Sequence, residues 1–230
     1  MKSYLKMELK KMDLKRHIKG VLLIISGMLL FETIGFLQGL HTSGPDRYDP
    51  YLPRMMNLLV ITSFTIYSSV FIGNLIIREY TNRTILILFS YPLNRRKIIL
   101  FKLGLVCLFT MTCIFIGNLF CQAYIFLIDA LFNVVTGTPD LTYFVECGVQ
   151  TVFGTLMGGI LPPLIFIAGM WKKSMSTTFI SSVAVAAFFF EAMGILPPAI
   201  MLPVCAVTAV ISFLGVKYIL NHKTETLDSL

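Results

Sequence analysis

Two carboxylates stand in stretches that are otherwise apolar. Glu32 is the one acid in residues 20–40, and Glu191 is the single charge in residues 174–216. A charged side chain deep in a bilayer costs about 2.5–3.5 kcal/mol on insertion scales, so it faces protein or water. Glu32 therefore has two readings. It lines a substrate path and attracts cationic cargo, or it is a protonated or hydrogen-bonded side chain packed against Thr33 or a neighbouring Ser or Asn. Glu191 follows Phe188-Phe189-Phe190 and precedes a Gly194–Pro198 turn. With Asp129, Asp140 and Glu146 it makes one face of the molecule acidic, which either draws a cation outward or simply sits in solvent. Other chemistry is missing from the sequence. There is no H-E-x-x-H, no paired acids within an apolar stretch, and no G-x-x-x-x-G-K-[ST] phosphate loop. His17, His41 and His222 are scattered, and the five cysteines lack metal-ligand spacing. An enzyme, a metal site or a nucleotide site on this chain is not expected.

The elements that must hold these acids follow from composition. Of 230 residues, 56% are hydrophobic and 13% charged, about half the roughly 25% charged share of soluble domains. The reading is an all-α membrane protein with a single transmembrane domain over residues 1–230. Charges cut the chain into spans at about 20–40, 56–77, 103–128 and 147–170, followed by the long stretch 174–216. A helix of that last length would reach about 64 Å, roughly twice the 30 Å hydrocarbon core. Gly194 and Pro197-Pro198 therefore divide it into spans at 174–193 and 199–219, making six. Within span four, Gly154-x-x-x-Gly158-Gly159 permits close helix approach, inside the chain or between two chains, and Pro162-Pro163 should kink it. Asn74 and Asn118 are polar residues in spans two and three that could bond each other.

Basic residues set the expected orientation. Seventeen of the 19 Lys and Arg precede span one, lie between spans two and three or four and five, or follow span six. The positive-inside rule then places both termini in the cytoplasm. The net charge of +7 is thus read as topogenic, with the lipid bilayer rather than nucleic acid as partner. Residues 1–19 read either as a basic topogenic tail or as an interfacial helix with Leu5, Leu9 and Met12 on one face. No cleavage pattern follows, so a removed signal peptide is not expected. The outer loops are short turns.

The connector Arg78–Lys102 does not look like a bare loop. It carries an apolar core, Ile85-Leu86-Ile87-Leu88-Phe89, then Ser90-Tyr91-Pro92 and the cluster Arg95-Arg96-Lys97. Thr81 or Asn82 can cap a short helix and Pro92 must end it. An apolar helix in such a place docks on a partner or lies on lipid.

Glu79, Thr84, Leu88, Ser90, Pro92, Arg95, Arg96, Lys97 and Lys102, placed after span two of six, form a pattern that resembles ABC-2-type transporter permeases. Within that family the topology looks most like bacitracin and lantibiotic immunity and peptide-export permeases. The resemblance implies a coupling segment over 78–97, in which Glu79, Thr84, Leu86, Leu88, Ser90 and Pro92 receive a separate ABC ATPase. It also implies two ATPase copies that carry ATP and Mg, no cofactor on this chain, and a second permease half, either another copy or a related chain. The implied location is the bacterial cytoplasmic membrane, and the implied cargo is amphipathic or antimicrobial peptides or lipid-like molecules. The alternative from another class is an ATP-independent membrane substrate-binding or immunity protein.

Overall fold

The computed structural model describes residues 14–42, 51–78, 95–132, 140–172, 174–195 and 198–225. Residues 1–13 of the expected interfacial helix over 1–19 and the coupling residues Glu79, Thr84, Leu86, Leu88, Ser90 and Pro92 lie outside them. Among the described residues the architecture is all-helical. Helix α1 spans Leu14–Thr42, α2 Tyr51–Ile72, α3 Arg95–Phe132, α4 Leu141–Lys172, α5 Met175–Ile195 and α6 Pro198–Glu225. A π-helical turn, Gly73–Ile77, continues α2. All six helices contain a stretch long and apolar enough to cross a membrane. The physical reason is that lipid offers no hydrogen bonds, so each spanning segment must satisfy its own backbone. Helix α3 has 38 residues and would be about 57 Å long, so it projects beyond the hydrocarbon.

Helix α2 is the most enclosed, with 61% of its span buried against 17% for α1. It packs on α3, α4 and α5, while α1 lies at the periphery against α3 and α2. A single stripe of α1 turns inward, Ile25, Met28 and Glu32, while Leu22, Leu23, Leu30 and Phe31 face outward. Outward apolar side chains need no cover here, because acyl chains are as apolar as leucine. What favours one packing over another is close approach and polar pairing.

The interior divides into two apolar clusters. One joins all six helices through Met28, Phe64, Ile114, Leu161, Phe189 and Cys205. The other sits where α2 ends and α3 begins, and includes Phe71, Ile76, Leu103, Phe166 and Leu220. Glycines allow the helices to meet. A Cβ on Gly158 would fall 3.1 Å from the Met111 Cα of α3, and one on Gly154 would collide with the Asn57 side chain of α2. Both residues of the predicted glycine motif thus sit against neighbours in the same chain. Helix α4 runs on through Pro162 and Pro163, and Ser212 of α6 donates to the Ile160 carbonyl at 3.2 Å in the turn before them.

Four of the five cysteines are buried and Cys107 is half-buried, which leaves a low labelling background. Ser90→Cys is expected to react with an impermeant maleimide only after cells are opened, and Gly137→Cys on intact cells. The reverse pattern would invert the proposed orientation.

Candidate transport site

The segment 79–94 is held at two roots, and both are built into the apolar cluster at the basic end. The first root is the π-helical turn. Its bonding pattern is shown by Arg78, whose backbone N–H donates to the Gly73 carbonyl five residues back. Such turns are rare single insertions that loosen the regular ladder, and they recur at functional sites. Leu75, Ile76 and Ile77 are buried in it. The second root is the start of α3, where Ile99 and Leu103 pack on the same cluster.

Lys102 ties the two roots together. Its side chain is only 3% exposed, and its Nζ donates to the Leu75 carbonyl at 3.3 Å. A buried ammonium persists where hydrogen-bond acceptors replace its water. By sequence Lys102 counts among the topogenic cations and ends the Glu79–Lys102 pattern; the structure adds that it is a strut between the end of α2 and the start of α3.

Nearer the other end, side-chain amides form a chain across three helices that ends on a carboxyl. Asn118 of α3 donates to the Asn57 side chain of α2 at 3.1 Å and to its own Ile114 carbonyl at 3.1 Å. Asn57 donates to Gln150 of α4 at 3.1 Å, and Gln150 donates to Glu146 at 2.7 Å. Beside this chain, Gln122 donates to the Thr151 hydroxyl at 3.0 Å and the Cys147 carbonyl at 3.2 Å. The expected pairing of Asn118 with Asn74 is corrected: Asn118 meets Asn57, and Asn74 is exposed on the π-helical turn. Depth decides this, since Asn74 stands about 25 Å along the helix from Asn57, at the opposite end of the span from the point where Asn118 packs. Asn57, Gln122 and Gln150 were missed in the sequence. The available signal was their i, i+4 spacing, with Asn118 and Gln122 on one helix face and Glu146 and Gln150 on another.

Glu32 is 6% exposed. It is turned toward α3, where the Cys121 thiol stands within hydrogen-bonding reach of its carboxyl. Its Oε2 atom has no hydrogen-bond partner among the described residues. The expected neighbour Thr33 is otherwise engaged, donating to the Leu30 carbonyl at 2.7 Å. Glu191 lies on an exposed face of α5. The bundle thus buries one acid and leaves the other outside. No group of three or more potential metal ligands occurs among the described residues.

Six helices are long and apolar enough to cross a membrane, and Lys102 ties the second to the third on either side of the connector. Residues 4–190 match the family described as ABC-2 family transporter protein, which is most of the chain. The chain belongs to that family. As an ABC-2 family transporter protein it is a multi-pass membrane component of a transport system, and members of the family normally pair with an ABC ATPase. The chain is also 28% identical, over 80% of its length and 81% of the relative's, to YcbO of Bacillus subtilis (strain 168), described as an uncharacterized protein. No solved structure matches it.

Proposed function

We propose that this ABC-2 family protein is the permease subunit of an ATP-driven exporter. It works with two copies of a separate ABC ATPase, which bind ATP and Mg, and with a second permease half that is another copy or a related chain. The observation that carries this reading is the family match over residues 4–190 in a chain without a phosphate loop. Such a chain needs an engine elsewhere. The connector 79–92 offers the grip, through Leu86 and Leu88, with Glu79, Thr84, Ser90 and Pro92 shaping it. The Lys102 strut supports this reading, because it gives the grip a stiff attachment to the bundle. Both termini and the connector lie in the cytoplasm on this reading, as the distribution of Lys and Arg argues.

The cargo we propose is an amphipathic or antimicrobial peptide, or a lipid-like molecule, moved out of the cell or out of the membrane. Outer connectors too short for a folded domain suit a cargo taken from the membrane itself. Glu32 and Glu191 are the acids assigned to its path. Glu32→Gln keeps the shape of the side chain and removes its charge. It is expected to lower export several-fold with membrane abundance unchanged, measured as peptide efflux from loaded vesicles; unchanged efflux would remove Glu32 from the path.

The whole reading is tested by co-expressing the chain with candidate ABC ATPases, purifying the complex, and reconstituting it in proteoliposomes. A stable complex whose ATP hydrolysis drives movement of a cationic peptide is the expected result. A chain that associates with no ATPase, or a connector that labels from outside, overturns it.

A further inference from the structure

The Glu32 carboxyl is a buried acid that nothing in the chain neutralises. It is 6% exposed, and its Oε2 atom has no hydrogen-bond partner among the described residues. The Cys121 thiol of α3 reaches it, but a thiol is a weak donor. Helix α1 packs mainly on α3 and α2, and neither brings a positive charge to the carboxyl. Beyond Cys121, α3 carries Tyr124 one turn on and Asp129 two turns on. On α2, Arg54 lies near the start, and Tyr67 is engaged with His17. His17 stands about 22 Å along α1 from Glu32, and Lys15, Arg16 and Lys19 share that far end. None of these groups acts on the Glu32 carboxyl.

Acids inside a membrane bundle pair with a cation or with several dipoles, and a buried carboxylate left without either is strongly disfavoured. Here the missing positive charge has to come from outside the chain. With so little of the carboxyl exposed, a proton is the one cation that reaches it without moving a helix. The seam around it is also weakly held. Helix α1 is the least enclosed of the six, with 17% of its span buried, and Leu30 and Phe31 beside Glu32 face outward. Glu32 itself lies about 15 Å before the end of α1 at Thr42. Parting α1 from α3 at this level uncovers the carboxyl, and a larger cation can then take the proton's place.

We infer that Glu32 is a proton-binding site in the seam between α1 and α3, and that it trades its proton for a cationic group of the cargo when the seam opens. On opening, the carboxyl O–H bond breaks, the proton passes to water, and the carboxylate receives an ammonium or guanidinium group. On closing, the cargo leaves and the carboxylate takes a proton back from water. One positive charge replaces another, so the acid is never buried unanswered. The trade rests on the cargo role proposed for Glu32; the proton site rests only on the buried seam.

The test uses the full-length chain in an ester-free detergent at neutral pH. Its first probe is dicyclohexylcarbodiimide, which enters apolar seams and modifies carboxyls that carry a proton. Fragment mass spectrometry should place the modification on Glu32. The infrared difference between the unaltered chain and Glu32→Gln should show the C=O stretch of a protonated carboxylic acid. An amphipathic peptide of leucine and lysine should lower the modification several-fold, and the same peptide with glutamine for lysine should not. An ionised carboxylate in the difference spectrum overturns the proton site while leaving the expected loss of efflux in Glu32→Gln standing. Where reagent and spectrum disagree, the spectrum decides. Modification that the cationic peptide leaves unchanged overturns the trade. A modified Glu32 whose replacement by glutamine leaves efflux unchanged keeps the proton site and overturns the cargo role, and the trade with it. Should Glu32→Gln fail to accumulate, fragment mass spectrometry of the unaltered chain decides.

Discussion

Leu88→Asp is expected to detach the ATPase and abolish ATP-driven transport, while the chain still reaches the membrane in normal amount. On the proposed reading, Leu88 sits with Leu86 at the apolar centre of the coupling segment, and Pro92 ends the helix after it. Central apolar anchors of an interface carry about 2 kcal/mol or more each, and an aspartate adds the cost of burying an unpaired charge. A loss of about 3 kcal/mol or more lowers affinity more than a hundredfold. On that reading the segment is an interface for the ATPase rather than part of the bundle, so thermal stability should hold. Co-purification of the ATPase and ATP-dependent efflux are the measurements. Normal efflux with Leu88→Asp would show that the motor grips elsewhere, and a collapse in chain abundance would mark the segment as part of the fold. Leu86→Asp serves as the second variant.

The largest expected loss of stability comes from Gly154→Ala. The added methyl would collide with the Asn57 side chain and lie 3.2 Å from Asn118 Nδ2. Those two side chains bond each other at 3.1 Å, and both are 1% exposed. Room for the methyl can come only from breaking that bond or parting α2 from α4. Overpacking costs about 1–3 kcal/mol, and a buried polar group left without its partner costs a further 1–3 kcal/mol or so. Thermal unfolding in detergent should therefore show a drop of several degrees. The double variant Asn57→Ala/Gly154→Ala should lose less than the sum of the two single changes, because the first truncation makes space for the second. A neutral Gly154→Ala, or strict additivity, would mean that the two helices do not meet at this point.

The glycine motif shows where sequence reading stops. Gly154 and Gly158, four residues apart, announce a close approach, but the letters do not say to what. Packing inside one chain and contact between two chains predict the same spacing. The structure sets Gly154 on Asn57 and Gly158 on Met111, both in the same chain. The asparagines behave similarly. An uncharged amide in an apolar stretch must find a partner, so Asn118 was legible as a bonding residue. Its partner was misjudged, because Asn74 lies about 25 Å along the helix from Asn57, the residue that Asn118 meets, and which residues stand at one depth is fixed by how the helices are offset along their axes.

The sequence alone carried the six membrane-crossing helices and the absence of a phosphate loop. Hydropathy is summed along one segment at a time and needs no neighbour, and a nucleotide motif is a local string. Only tertiary structure decided that Lys102 braces the π-helical turn through the Leu75 carbonyl and that Glu32 turns inward toward Cys121. These depend on what stands opposite a side chain across a few ångströms of lipid-excluded space, and residues such as Leu75 and Lys102 that meet there are far apart along the chain.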